Sequence, residues 1–160
     1  MLKLYRLTPD SKDYWETWED AGGNHLVHWG RLGESGNTKS VKSSFFLKAT
    51  TKLQTEIDDL LEQGYAPVDP ENHAILMIEF AINGMGSGAD IEKRHRLESR
   101  MNETLDWTGL GACDGGSIGS DSMEVCNFVV DFEIAKRVIA QDLVGTEFAD
   151  FTRIYEEDAT

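Results

Sequence analysis

Residues 26–33 read Leu-Val-His-Trp-Gly-Arg-Leu-Gly, and this stretch decides how the first part of the chain is interpreted. An apolar pair typical of a β-strand leads into Trp29, Gly30 and Arg31 and then into a loop with further glycines. An indole can stack on a flat ligand, a glycine lets another group approach the backbone, and a guanidinium can hold an anion. The same three residues are also compatible with a buried tryptophan, a β-bulge glycine and a surface ion pair.

The residues on both sides of this tripeptide extend the pattern. Upstream, residues 14–19 read Tyr-Trp-Glu-Thr-Trp-Glu. Downstream follow, in order, Gly33, Gly36, Phe45, Phe46, Ala49, Gly64, Tyr65 and Pro67. In this order and spacing the first 70 residues resemble the WGR domain, which is named for the tripeptide and is found in poly(ADP-ribose) polymerases and in small bacterial proteins.

The resemblance implies a binding role for the motif. In WGR domains the tryptophan and the arginine lie on the surface that contacts nucleic-acid ends and neighbouring domains. By resemblance, Trp29 and Arg31 take these roles here, and Gly30 allows close approach. Lys39 and Lys42 on the next strand would add contacts to phosphates.

Two departures from the family pattern disfavour a nucleic-acid ligand. Glu34 stands in the loop after the motif, where the family often has a basic or neutral residue. Residues 61–65, at the end of the predicted helix, read Leu-Glu-Gln-Gly-Tyr and contain no lysine. Each change adds repulsion or removes a favourable contact to phosphate. A protein partner therefore stays open as the ligand of this surface.

The first part of the chain predicts a small antiparallel sheet packed by one helix. Alternation of apolar and polar residues predicts strands over residues 2–7, 13–20, 25–32 and 39–44. From Phe45 or Phe46 the period becomes helical, and Gly64 ends the helix. The residues that share one face of this helix are Phe46, Ala49, Leu53, Ile57, Leu60 and Leu61. A polar linker that contains Pro67 and Pro70 then closes a WGR-like domain over residues 1–68.

Residues 73–160 predict a second domain with the order β-α-β-β-α-β. Strands are predicted over 74–82, 110–113, 123–130 and 151–155, and helices over 89–106 and 132–144. Residues 114–122 read as a glycine-rich hairpin, and residues 156–158 as an acidic tail. The inward-facing residues are Ile91, Leu97, Met101 and Leu105 on one helix and Ala135, Val138, Ile139 and Leu143 on the other. This order predicts a ferredoxin-like fold, so the chain as a whole belongs to the α+β class.

Charge is distributed unevenly along the chain. Residues 1–70 carry 8 Lys and Arg against 11 Asp and Glu, while residues 71–160 carry 7 against 18. The net charge of −14 therefore lies mainly in the second domain, which should repel nucleic acid and attract a basic protein. The alternative is that the acidity only maintains solubility.

Six carboxylates are candidates for an acidic partner surface: Asp114, Asp121, Glu124, Glu156, Glu157 and Asp158. Ordinary turn chemistry is the competing explanation for Asp114 and Asp121. The basic run at residues 93–96, with Arg100, reads as a solvated helix face paired with Glu92 and Glu98. The glycines at residues 84–88 read as a flexible connector, after which Asp90 caps a helix.

Catalysis, metals and cofactors have no support in the sequence. No Ser/His/Asp or Cys/His arrangement with supporting context is present, and the four histidines lack ligand spacing apart from the weak pair His25 and His28. Cys113 and Cys126 are expected to be free thiols in a reducing compartment. With no secretory leader and no membrane span, we expect a cytoplasmic, non-enzymatic protein without cofactor or metal that does not bind a membrane.

Two functional hypotheses follow. The first is an acidic, protein-binding inhibitor, such as an immunity protein that neutralises a basic cognate toxin acting on nucleic acid or NAD. The second is an accessory protein that binds nucleic-acid ends through the WGR-like domain. Charge asymmetry and the missing catalytic residues favour the first.

Overall fold

Two separate four-stranded antiparallel sheets account for the strands of the chain, as seen in a computed structural model that describes residues 1–158. The chain divides into two compact units, Met1–Val68 and Asp69–Thr160. Three α-helices accompany the sheets within the described residues, which confirms the α+β class. In the described part of the chain, none of these helices has both the length and the apolar character needed to span a bilayer.

The first unit is a meander of four strands, each paired with its neighbour in sequence, followed by one helix. Its elements are β1 (Leu2–Leu7), β2 (Lys12–Glu19), β3 (His25–Arg31), β4 (Asn37–Val41) and α1 (Ala49–Glu62). The core between helix and sheet contains Leu4, Trp15, Val27 and Leu53. Leu4, Trp15 and Val27 come from successive strands and are on one face because side chains alternate along each strand.

Helix α1 begins later than the sequence predicts. Lys48 is its N-cap residue, and Phe45 and Phe46 lie before it, 95% and 91% exposed. The hydroxyl of Ser44 accepts a hydrogen bond from the Leu47 amide, and its own amide donates to the Leu47 carbonyl. These bonds close a turn that competes with the helix. The placement of Phe46 on the buried helix face is therefore wrong.

The other end of α1 follows the prediction more closely. Gly64 lies just past the helix in the left-handed region, with φ of 88°, and the Tyr65 amide returns to the Leu60 carbonyl. Ile57 and Leu60 pack against the core, but Leu61 is 48% exposed, so its inward placement is wrong.

The second unit has the order β-α-β-β-α-β and a sheet in which the first strand occupies an inner position. After a 3₁₀ turn at Pro70–Asn72, its elements are β5 (Ala74–Ala81), α2 (Gly88–Trp107), β6 (Gly111–Gly119), β7 (Ser122–Val129), α3 (Phe132–Asp142) and β8 (Arg153–Glu157). The strand order is β6-β7-β5-β8, and each neighbouring pair is antiparallel.

One face of this second sheet is covered by both helices. The fully buried residues Leu97, Met101 and Leu105 form one row on α2 because they are four residues apart. Ala135, Ile139 and Leu143 are buried on and just after α3, as predicted. Ile91 is 46% exposed, which contradicts its predicted inward position. It precedes Leu97 by six residues and so lies off the buried row.

Strand β6 is longer than predicted, and the hairpin after it is shorter. The strand continues through Gly119 instead of ending at Cys113, with a bulge between Cys113 and Gly115. At Gly116 a Cβ atom would lie 2.5 Å from the Glu124 carbonyl oxygen, so the glycine permits close strand pairing and does not mark a turn. Strand β8 likewise extends to Glu157, so residues 156 and 157 do not belong to a tail.

Candidate functional site: binding surfaces of the two units

The group that approaches Gly30 most closely is the chain's own Gly36. A Cβ atom at Gly30 would lie 2.7 Å from the Gly36 Cα, and a Cβ at Gly36 would lie 2.5 Å from the Tyr14 hydroxyl. Gly36 also has a left-handed φ of 63°. The loop after the motif therefore folds back against β3, and the glycine of the motif makes room for it.

This loop covers a buried polar group on the sheet face opposite α1. Tyr14 pairs with Gly30 in register, and Glu16 pairs with His28. The Tyr14 hydroxyl donates to the Glu34 carbonyl at 2.8 Å, and His28 Nε2 lies 2.6 Å from the Ser35 carbonyl oxygen. Burial raises the pKa of Tyr14, and the charges of Glu16 and Glu34 add to the rise.

The partners of His28 define its hydrogen bonding. Its side chain is 1% exposed, and Nδ1 lies 2.8 Å from Oε1 of Glu16. This contact and the one between Nε2 and the Ser35 carbonyl, with the Tyr14 hydroxyl 3.1 Å from Nε2, give both ring nitrogens polar partners inside the unit. Lys3 Nζ lies 3.1 Å from Glu16 Oε2 and forms an ion pair with the same carboxyl group. The histidine within the motif thus has a structural role, and no ligand is needed to explain it.

Substitution of Gly36 tests this arrangement. We expect Gly36→Ala to lower the free energy of unfolding by about 3 kcal/mol, because it adds steric overlap to the cost of a positive φ. Gly64→Ala is the matched control: its φ is also positive, but a Cβ there would meet nothing within 4 Å, so we expect about 1 kcal/mol. Urea unfolding of both variants measures the difference, and equal losses would contradict the packing role of Gly36.

Trp29, Lys39 and Glu56 form one cluster, in which the carboxylate of Glu56 binds the ammonium group of Lys39. Lys39 Nζ lies 5.3 Å from the centre of the Trp29 ring and donates to both carboxylate oxygens of Glu56, at 3.0 and 2.8 Å. Glu56 also accepts from the indole nitrogen of Trp15 at 2.9 Å. Lys39 is therefore neutralised by α1, which reduces its value as a contact to phosphate.

Arg31 remains available at the rim of a shallow cavity. The cavity has about 300 Å³, and its walls include Arg6, Trp29, Arg31 and Tyr65. Within residues 1–158 the exposed side chain of Arg31 makes no hydrogen bond or ion pair. Burial alone would raise the pKa of Asp13 in the same cavity. Hydrogen bonds from Ser11 and Arg6, together with the charge of Arg31, nevertheless keep that pKa below its ordinary value.

Lys42 lies apart from the motif. It lines a second cavity of about 450 Å³, together with His25, Ser43 and Lys48. His25 and Val41 are register partners at one end of the β3–β4 pair, whereas Trp29 and Asn37 pair towards the other end. The five residues predicted for the motif surface therefore divide between two places.

Three of the six predicted acidic residues lie near enough to Cys126, on β7, for their charges to act on its thiol. Burial raises the pKa of Cys126, and the negative charges of Asp114, Glu157 and Glu124 raise it further. Alternation along β7 places Cys126 and Glu124 on the face opposite the buried Val125 and so away from the helices. We call Asp114, Glu124 and Glu157 the carboxylate triad.

The other three predicted carboxylates do not join this triad. Asp121 is the turn residue of the β6–β7 hairpin, with φ of 63°, and its carboxylate accepts from the Gly84 amide at 2.8 Å. This bond and its backbone partner hold residues 84–88 against the hairpin, so that segment is not a free connector. Glu156 alternates with Glu157 along β8 and points away from the triad, and Asp158 follows the strand.

The basic run on α2 is neutralised, largely by residues that the sequence did not indicate. Arg94 pairs with Glu98 as predicted, at 2.9 Å. Lys93, Arg96 and Arg100 pair instead with Asp150, Glu147 and Asp142, each at 2.8 Å. The N-cap residue of α2 is Ser87, not Asp90, although Asp90 completes the capping box at the third helical position. The cations of α2 therefore form ion pairs with carboxylates on the helix side of the sheet.

Both cysteines are free thiols, and neither is activated. Burial raises the pKa of Cys113 as well as that of Cys126. Thiolates are the nucleophilic form, so a raised pKa makes these groups poor nucleophiles at neutral pH. Within residues 1–158, no cluster of three or more His, Cys, Asp or Glu side chains is arranged to hold a metal ion.

Alkylation of Cys126 tests the position of the triad. We expect iodoacetamide at pH 7.5 to modify Cys126 faster in Asp114→Asn/Glu124→Gln/Glu157→Gln than in the unsubstituted protein, because loss of three negative charges lowers the thiol pKa. The control Glu92→Gln/Glu103→Gln/Glu133→Gln removes the same charge from the two helices and should leave the rate unchanged. Peptide mass spectrometry resolves Cys126 from Cys113. Equal rates in the two variants would show that the triad does not surround Cys126.

Several residues of these surfaces were not predicted from the sequence. Glu56 lies in α1 and does not change the apolar periodicity of the helix, so the sequence pattern gives no sign of its role. In the structure its carboxylate accepts hydrogen bonds from Lys39 and Trp15. Glu16 occupies an inward strand position opposite His28, and alternation along β2 is the signal that could have identified it. Phe128 and Tyr155 lie beside the triad, but the sequence around each of them does not show which face of the sheet is exposed.

Comparison of the chain with protein-family models, with curated proteins and with solved structures gave no match.

Proposed function

We propose that this protein is a non-enzymatic binding protein whose second unit docks a basic protein partner on its helix-free sheet face. The observation that carries the proposal is that Glu124 and Glu157 lie on this face, where strand alternation turns them away from the helices, and that Asp114 acts with them on the Cys126 thiol. Like charges held close together repel one another, and a cationic partner relieves this repulsion. An inhibitor of a basic toxin, such as an immunity protein, is the functional class that fits this chemistry best.

The surroundings of the triad support a protein ligand. Register pairs Met77 with Cys126 on one side and with Tyr155 on the other, and Ile75 with Phe128. Apolar and aromatic side chains therefore lie among the carboxylates, as in the core of many protein interfaces. The Tyr155 hydroxyl donates to Glu124 at 2.7 Å, a bond that, with burial, raises the pKa of Tyr155 to about 12.

The distribution of cations supports the same face. Four of the seven Lys and Arg residues after position 70 are on α2, and each pairs with a carboxylate on the helix side. On the other face Arg153 pairs with Glu79 at 3.0 Å. Within residues 1–158 no ion pair joins a Lys or Arg to a triad carboxylate. Arg153, over the Tyr155 ring, is the nearby cation whose charge acts on Glu124, and Asp114 and Glu157 add negative charge beyond it.

The finer fold assignments belong to the same proposal. The strand order β6-β7-β5-β8 with two helices on one face supports a ferredoxin-like arrangement for the second unit. The meander with one helix, and the motif beside its fold-back loop, support a WGR-like first unit. No catalytic group is required by either assignment.

Affinity capture tests the protein-binding proposal. Immobilised protein is incubated with native lysate of the source cells at 150 mM salt, and retained proteins are quantified by mass spectrometry. We expect a basic protein to be retained by the unsubstituted chain and by the Glu92/Glu103/Glu133 control, and to fall at least tenfold with the neutralised triad. Purified partner and titration calorimetry then give the affinity. If the neutralised-triad variant and the Glu92/Glu103/Glu133 control retained every protein equally, the proposal would be contradicted.

A nucleic-acid-end ligand for the first unit is the second candidate, and the unpaired Arg31 beside Trp29 favours it. We expect a nicked duplex with a 5′ phosphate to bind in fluorescence anisotropy at 50 mM salt, and Arg31→Ala to weaken binding at least tenfold. Arg137→Ala, on α3 of the second unit, is the control of equal charge change. Asp13 and Glu34 in the same cavity oppose phosphate, and no binding at 50 mM salt would eliminate this candidate.

A further inference from the structure

Two adjacent phenylalanines on the surface of the first unit have no role in its core. Phe45 and Phe46 are 95% and 91% exposed, and their rings form an edge-to-face pair with centres 5.1 Å apart. Leu47 beside them is 42% exposed. Burial of rings of this size is a major source of binding energy at interfaces, and aromatic residues are enriched there. An aromatic pair left in water therefore indicates a surface that is covered in a complex.

The segment that presents these rings is held in place by its own bonds. The Ser44 turn closes it on one side, and the Ser43 hydroxyl accepts from the Ala49 amide at 3.0 Å on the other. Lys52 Nζ also donates to the Lys42 carbonyl at 2.8 Å. We call residues 42–48 the aromatic loop. Because its shape is fixed before binding, less conformational entropy is lost when it docks.

The aromatic loop is basic, although the chain as a whole is acidic. Residues 35–55 contain four lysines and no Asp or Glu, in a protein with a net charge of −14. Lys39 is neutralised by Glu56, but within residues 1–158 the ammonium groups of Lys42 and Lys48 make no ion pair. The loop thus combines apolar rings with uncompensated positive charge.

A surface of complementary chemistry is present in the same molecule. The helix-free face of the second sheet offers the carboxylate triad together with Phe128 and Tyr155. Aromatic rings matched to aromatic and aliphatic side chains, and ammonium groups matched to carboxylates, are the combination that stabilises a protein interface. A second copy of this chain therefore carries a surface complementary to the aromatic loop.

We infer that the aromatic loop of one copy docks on the helix-free face of a second copy. Two such contacts related by a two-fold axis, each loop on the other copy's sheet, give a closed dimer. This inference rests on the proposed function in one respect, since it uses the same sheet face. Self-association and capture of a basic partner therefore compete, and the dimer is a form in which the acidic face is occupied.

Sedimentation velocity from 1 to 100 μM tests the inference. We expect a dimer whose dissociation constant rises at least tenfold in Phe45→Ser/Phe46→Ser and in the triad variant Asp114→Asn/Glu124→Gln/Glu157→Gln. Raising the salt from 50 to 500 mM should also weaken it, because exposed charges are screened. Leu61→Ser/Val144→Ser, which replaces two other exposed apolar residues, is the control and should leave the dimer intact. Circular dichroism establishes that each variant is folded.

Mixing the two variants identifies which surfaces meet. The Phe45/Phe46 variant keeps its sheet face, and the triad variant keeps its loop, so one productive contact remains between them. We expect tagged triad variant to retain the Phe45/Phe46 variant, while neither variant retains itself. Failure of this complementation, with both variants folded, would overturn the inference.

Other occupants of the loop give different results. A monomer at 100 μM, combined with loop-dependent binding to phosphatidylserine vesicles or to a single-stranded oligonucleotide, would also overturn the inference. The two proposals fail separately. A monomeric protein that still captures a basic partner through the triad contradicts only self-association, whereas a dimer that captures no partner contradicts only the proposed function.

Discussion

The contact between Gly36 and Gly30 is the constraint on which the first unit depends. It lets residues 32–36 fold back under β2 and β3, where their carbonyl groups receive hydrogen bonds from Tyr14 and His28. Without this cover, the side chains of His28 and Glu16 would lie on an open sheet face, and the contact between them would lose its protection from water. The sheet is thus buried on one side by an apolar helix and on the other by its own loop. Trp29 and Arg31 lie at the end of β3, in the wall of the shallow cavity.

Charge separates the two faces of the second unit in a comparable way. The carboxylates near the end of α3 draw Arg96 and Arg100 of α2 into ion pairs, which ties the two helices together. Exposed pairs of this kind contribute little stability individually. Their consequence for function is larger, because the cations they use are not available to the opposite face. Under the proposed function, a cationic partner, foreign or a second copy, would be the electrostatic complement of the triad.

The sequence predicted most elements but missed boundaries where a side chain competes with the backbone. Alternation located β1, β2 and β3 to within one residue, since each of these strands buries one or both faces. The predicted start of α1 was too early, because Phe45 and Phe46 continue the apolar period of the helix. The turn at Ser44 excludes them from the helix, and it is formed by hydrogen bonds that apolar periodicity does not indicate. In β6, glycines that usually mark turns were read as a hairpin. At Gly116 the missing side chain lets two strands approach, which depends on the partner strand.

By itself, the sequence determined the α+β class, the excess of negative charge after position 70 and the presence of the Trp29-Gly30-Arg31 motif, because composition and local period are properties of neighbouring residues. Only the tertiary structure decided that Lys39 is neutralised by Glu56, that Asp121 serves a turn, and that the charges of Asp114, Glu124 and Glu157 act on one thiol. These relations join residues that are tens of positions apart. They arise when strands pair in one register and helices cover one face of a sheet, and no local pattern specifies which distant side chains that packing brings together.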